Sequence, residues 1–127
     1  MLSRYTIYRR RPVGAPPLPD GIRKDTRWRT RHVLRPTKQI VEVYLEDPTD
    51  EAWQVFHDAY FTLLAERLAT STELFDELAS LCNEADVYLG CSCPTKQQPR
   101  VDRCHTWLAL EFMKQNFPGI AVEFPKL

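Results

Sequence analysis

The chain has 127 residues, 43% hydrophobic and 11% aromatic, a length that fits one domain and a composition far from the disordered regime. No apolar run approaches the roughly 18 residues of a membrane span, and the first residues lack the apolar stretch of a signal peptide, so no membrane contact and a cytoplasmic location are expected. The formal net charge of zero hides an asymmetry: residues 1–40 hold eleven Arg and Lys against two Asp, a net +9, while residues 41–127 carry a net −9.

That split leaves two readings open. The first third meets an anionic partner, a nucleotide or nucleic acid, or it is neutralised by the acidic remainder. Residues 1–127 are expected to form one domain, with a basic segment at 1–40 and an α/β core at 41–127.

Leu2 to Arg10 carries Tyr5, Thr6, Ile7 and Tyr8 and reads as a first strand. Residues 12–21 hold four prolines and two glycines, which makes them a loop, because proline lacks the ladder donor and fixes its own backbone angle. Residues 22–38 are basic and weakly patterned. Within them Arg23, Lys24, Arg27, Trp28, Arg29, Arg31 and His32 read either as a phosphate-contacting stretch with an aromatic able to stack on a base or as a solvated, acid-paired surface. Gln39 to Leu45 is a strand candidate or an extended segment.

Pro48-Thr49-Asp50-Glu51 starts a helix: Thr49 can cap, and two acids favour the positive end of the dipole. Trp53, Phe56, Tyr60, Leu63, Leu64 and Leu68 recur at helical spacing and predict a helix over about 50–68 with one buried face. Thr70 with Glu73 matches a capping box and opens a second helix through about Cys82. Cys82 lies beside Leu78 and Leu81 and reads as a small core hydrophobe. The aromatic stripe reads as core, and His57 beside it as solvated or hydrogen-bonded.

Asp86 to Cys91 is a short apolar strand, and Ser92 to Arg100 a loop holding Pro94 and Pro99. Asp102 can cap a helix whose inner stripe is Val101, Cys104, Leu108 and Phe112, stopped by Asn116 and Pro118-Gly119. Ile120 to Phe124 is expected as a last strand. Strand, helix and strand form a βαβ unit, which implies parallel pairing. The expected architecture is therefore a three-layer α/β domain with a small, largely parallel sheet ending in that unit.

Cys91 and Cys93 sit two apart in an extended segment and can present both sulfurs to one side. Cys104 and His105 fall in the first turn of the next helix, where unpaired N–H groups and the dipole stabilise an anion and lower a thiol pKa. This places all four at the carboxyl end of a strand, where α/β sheets bind ligands.

Three chemistries fit the cluster. One cysteine is an activated nucleophile with His105 as base or orienter and Arg100 or Arg103 holding an anionic group. Alternatively Cys91, Cys93, Cys104 and His105 hold zinc. Against this, Cys-x-Cys is tighter than usual structural spacing, and Cys104 and His105 point about 100° apart on a helix. In the third, the cysteines are small buried residues and His105 caps the helix. The thiol or histidine reading needs no cofactor. Glycine-rich phosphate loops, Ser–His–Asp motifs and His-Glu-x-x-His motifs are absent.

Val87-Tyr-Leu-Gly-Cys-Ser-Cys93 followed by Arg103-Cys104-His105 resembles the YeaO-like uncharacterised proteins, domain of unknown function 488, and their phage-associated relatives, domain of unknown function 4326. Trp53, Phe56 and Tyr60, then Leu78 and Leu81, are similar too, and the likeness runs over residues 50–116. Arg35 to Lys38 matches a basic segment, so Arg35 and Lys38 join Arg100 and Arg103 as anion-binding candidates. The loop from Cys93 to Cys104 is longer than in the phage-associated relatives. The resemblance implies an α/β fold with a Cys-His active site in nucleotide or nucleic-acid metabolism, and it supplies no activity.

Overall fold

A computed structural model describes all 127 residues. The first strand, β1 (Leu2–Thr6), is shorter than expected because its partner runs out: Ile7 N–H makes a last bond to Cys91 O at 2.9 Å. A second strand, β2 (Ile22–Asp25), forms in the basic stretch that gives no pattern of its own. It exists because the central strand offers a free edge. Gly21 lets the chain enter it: its φ is +138°, and a Cβ there would lie 2.7 Å from Asp86 O.

Gln39 to Leu45 is helix, not strand. It lies within α1 (Lys38–Glu46), despite Ile40, Val41 and Val43. Three features outweigh β-branched propensity. Thr37 caps the first turn, accepting from Ile40 N–H at 3.3 Å. Lys38 and Glu42 pair at i,i+4, and Ile40, Val41, Tyr44 and Leu45 turn to the core while Val43 is left exposed.

The expected long helix is α2 (Asp50–Thr70), capped by Thr49, with Phe56, Tyr60 and Leu64 buried. α3 (Thr72–Glu84) follows after one residue. Its expected capping box does not form: Thr70 closes α2, its hydroxyl donating back to Glu66 O, and Ser71 takes the cap position without a side-chain bond. Phe75, Leu78, Ala79 and Cys82 are buried. Each fully buried Leu or Phe contributes about 1.5–3 kcal/mol.

β3 (Val87–Cys91) is the middle strand of a parallel sheet ordered β1-β3-β2, registered Leu2 to Val87 on one side and Ile22 to Val87 on the other. α4 (His105–Asn116) lies on β1 and β3, α2 packs on α4, and α1 and α3 pack on α2. The fold is thus a small parallel α/β domain. Ile120 to Phe124 does not become a strand. Only Val122 bridges Leu2, in parallel. The Ser3 hydroxyl donates to Glu123 O, and Phe124 turns onto Trp107 with ring centroids 4.9 Å apart. No helix is long and apolar enough to cross a membrane.

Candidate functional site

β3 ends at Cys91 between the ends of β1 and β2, so Ser92 and Cys93 leave the sheet at the crevice where parallel sheets take ligands. Two β1 side chains fix that exit. Arg4 Nη2 donates to Cys93 O at 2.6 Å, and the Thr6 hydroxyl donates to the same oxygen at 2.9 Å.

The chain returns at Cys104, and its position differs from the expected one. Val101–Arg103 winds into a 3₁₀ turn, and Arg100 clasps the Asp102 carboxylate with bonds of 3.1 and 2.7 Å. Asp102 therefore caps nothing. Cys104 is itself the N-cap of α4, with φ −116° and ψ 150°, and His105 is the first helical residue. The extended cap also removes the expected divergence: Cys104 Sγ lies 3.8 Å from His105 Nδ1.

The sulfurs of Cys91, Cys93 and Cys104 lie within 4.8 Å of one another. His105 is not part of that set. Its Nε2 is 2.9 Å from Thr26 Oγ1, and the Thr26 hydroxyl donates to Gly90 O at 3.0 Å. With its one proton committed, the Thr26 oxygen accepts, so Nε2 carries a proton and Nδ1 faces the sulfur. As a metal-ligand set the converging sulfurs number three, one short of a closed zinc centre.

Burial alone would raise the Cys104 thiol. Hydrogen bonds from Cys91 and Cys93 and the charge and hydrogen bond of His105 outweigh it and hold Cys104 well below the usual thiol range. Its neighbours respond oppositely. Cys91 is raised by its hydrogen bonds to Cys104 and Cys93 and by burial, and Cys93 is pushed up to about 11, chiefly by its bond to Cys104. Of the three sulfurs, the one at the positive end of α4 is therefore the readiest to lose its proton. A further donor comes from Thr106, whose hydroxyl lies 3.2 Å from Cys104 Sγ and itself receives Arg4 Nε at 2.9 Å.

A pocket of about 210 Å³ is lined by the three cysteines and His105. Val41, Tyr44, Leu45 and Phe56 give it an apolar wall, and Arg27, Trp28 and Arg29 come from the turn after β2. Arg27 is tied to Asp25, with bonds of 3.0, 3.2 and 2.8 Å. Arg29 has no carboxylate partner and lies over the Trp28 ring. Gln98, 3% exposed, also lines the pocket, and its Nε2 has no hydrogen-bond partner.

A family profile described as DUF488-N3a, the active DUF488-N3 subclade, matches residues 4–117. The chain belongs to the DUF488 family. The match takes in the basic first third as well as the stretch from Trp53 to the Cys-His pair. No curated protein and no solved structure matches the chain.

In this DUF488 domain the four anion candidates are dispersed. Arg103 reaches the pocket but is held by Asp50 Oδ1 at 2.8 Å and lies over Trp53. Arg100 is occupied by Asp102 outside the pocket. Arg35 donates to His32 O, and Lys38 pairs with Glu42. Sequence reasoning missed Arg4, Thr26, Thr106 and Gln98. An arginine inside an apolar strand was the one available signal. Threonines that bond across 79 or two residues leave no pattern.

Proposed function

We propose that this domain is a Cys/His-dependent, enzyme-like site for a phosphate-bearing ligand, a nucleotide or nucleic acid, with Cys104 as its nucleophile. The carrying observation is the placement of Cys104 Sγ: at the cap of α4, hydrogen-bonded by Thr106 and facing His105 Nδ1, beside a pocket with arginines in its wall. His105 Nδ1 takes the thiol proton, and the sulfur lone pair then displaces a leaving group from an electrophilic centre of the bound ligand, that group departing with its bonding pair and taking the proton back from the imidazolium. Cys91 and Cys93 stay protonated and donate to it. Gln98 Nε2 offers a buried donor to a ligand acceptor, since leaving it unpaired costs about 1–3 kcal/mol. Arg29, which has no carboxylate partner, supplies positive charge at the wall, and the description of the subclade as active accords with this chemistry.

The test is the pH dependence of iodoacetamide labelling at each cysteine, read by peptide mass spectrometry after treatment with chelator. Cys104 is expected to show an inflection well below that of a free thiol, and Cys93 one well above. A Cys104 profile with no low inflection defeats the nucleophile, leaving a non-enzymatic binding module built on the Arg-rich third as the better reading.

A further inference from the structure

The thiol pocket is open toward Arg27 and Arg29. These two, with Ser92 and Thr95, also line a broad depression of about 700 Å³ that continues to Arg9, Tyr8 and Pro94. Tyr8 in turn borders a third depression, which holds Tyr5, Arg4 and Arg11 against the proline loop. The three depressions thus adjoin one another through shared lining residues and follow the first third of the chain. No acidic residue lines either depression.

The cations along it differ in how they are held. Arg27 is neutralised by Asp25 and Arg4 is committed to Thr106, Thr6 and Cys93. Arg9, Arg11 and Arg29 are exposed and have no carboxylate partner. Arg11 lies over the Tyr8 ring and Arg29 over Trp28. A single phosphate calls for cations that converge on one point. Here they are strung out along a groove and alternate with aromatic rings, which suits a chain of phosphates with bases able to stack. The pocket at its end is too small for a base pair and has apolar and hydrogen-bonding walls, the setting in which an unpaired base is held.

We infer that the protein binds single-stranded nucleic acid, with the backbone along Arg29, Arg9 and Arg11 and one unpaired base in the Cys104 pocket. This rests on the reading of that pocket as the reacting site, but it is tested by binding alone.

The probe is a fluorescent single-stranded oligonucleotide of about ten nucleotides, titrated by anisotropy over a range of salt. Affinity is expected to fall linearly in log–log form, with a slope of about −0.7 for each phosphate contacted. The double variant Arg9→Ala/Arg29→Ala should reduce that slope by about 1.4 with little change in thermal stability, because neither side chain has a carboxylate partner and only the exposed contact of Arg29 with the Trp28 ring is lost. A slope unchanged in the double variant overturns the inference. So does a mononucleotide that competes as well as the oligonucleotide, or an acidic peptide of equal charge that displaces it equally. Loss of the groove with a low Cys104 inflection intact leaves the nucleophile standing, and the reverse result leaves the groove standing.

Discussion

Thr106→Val removes one atom's worth of chemistry from the buried cluster. Thr106 is wholly buried, and valine fills nearly the same volume, so packing is retained while the donor 3.2 Å from Cys104 Sγ is lost. A hydrogen bond to a charged group contributes about 1.5–3 kcal/mol. At about 1.4 kcal/mol per pKa unit, the Cys104 inflection should rise by about one to two units, since the lost donor favoured the thiolate. The assay is labelling of Cys104 against pH by peptide mass spectrometry. Thr106→Ser keeps the hydroxyl and should hold the inflection near the parent value. Arg4 keeps its bonds to Thr6 and Cys93 O in either variant, which limits collateral damage. An inflection unmoved in Thr106→Val, or moved as far in Thr106→Ser, would refute the idea that this hydroxyl stabilises a thiolate.

Two further outcomes follow from groups outside the sulfur trio. His32 is lowered from 6.5 to about 4, chiefly by burial and then by Lys24, His105 and Arg35, and its Nδ1 accepts Leu34 N–H at 3.1 Å only when unprotonated. A depressed folded pKa gives stability that is complete above about 6.5 and lost as pH falls toward 4, worth about 3 kcal/mol. Denaturant titrations should therefore show a steeper acid loss for the parent than for His32→Gln, and parallel curves would contradict this. Among the glycines, Gly21→Ala should destabilise more than Gly90→Ala. At Gly21 the added carbon meets the backbone oxygen of Asp86 at 2.7 Å with φ at +138°, whereas at Gly90 it meets the movable ends of Ile7 and Tyr5 at 2.7 and 2.8 Å. Overpacking alone costs about 1–3 kcal/mol, and the strained backbone adds about as much again. Melting temperatures in the reverse order would count against it.

How much of this was legible follows from where the information sits. α2 and β3 are written in local periodicity, with Phe56, Tyr60 and Leu64 on one face and Val87 and Leu89 on another, and both come out close to their expected bounds. α1 was hidden because Ile40, Val41 and Val43 favour a strand intrinsically, while the contact with α2 that decides the matter is tertiary. β2 was hidden because Arg23 and Lys24 carry no strand pattern, and an edge beside β3 needs little from its side chains. At the site, Cys91, Cys93, Cys104 and His105 could be singled out by residue type and spacing, and they do line one pocket. Their partners could not. Thr26 reaches His105 only because two distant strand ends meet.

The sheet takes two of its three strands from the basic first third, and the turn after β2 supplies Arg27, Trp28 and Arg29 to the pocket wall. There is consequently no arm to cut away. Trimming residues 1–40 would unmake the sheet and the crevice together, so loss of binding on truncation says nothing about which charges touch a ligand. Whatever settles along that strip is linked to the folding equilibrium of the whole molecule. A ligand held there should raise the melting temperature as its concentration rises, and heating the protein becomes a way of measuring how tightly it binds.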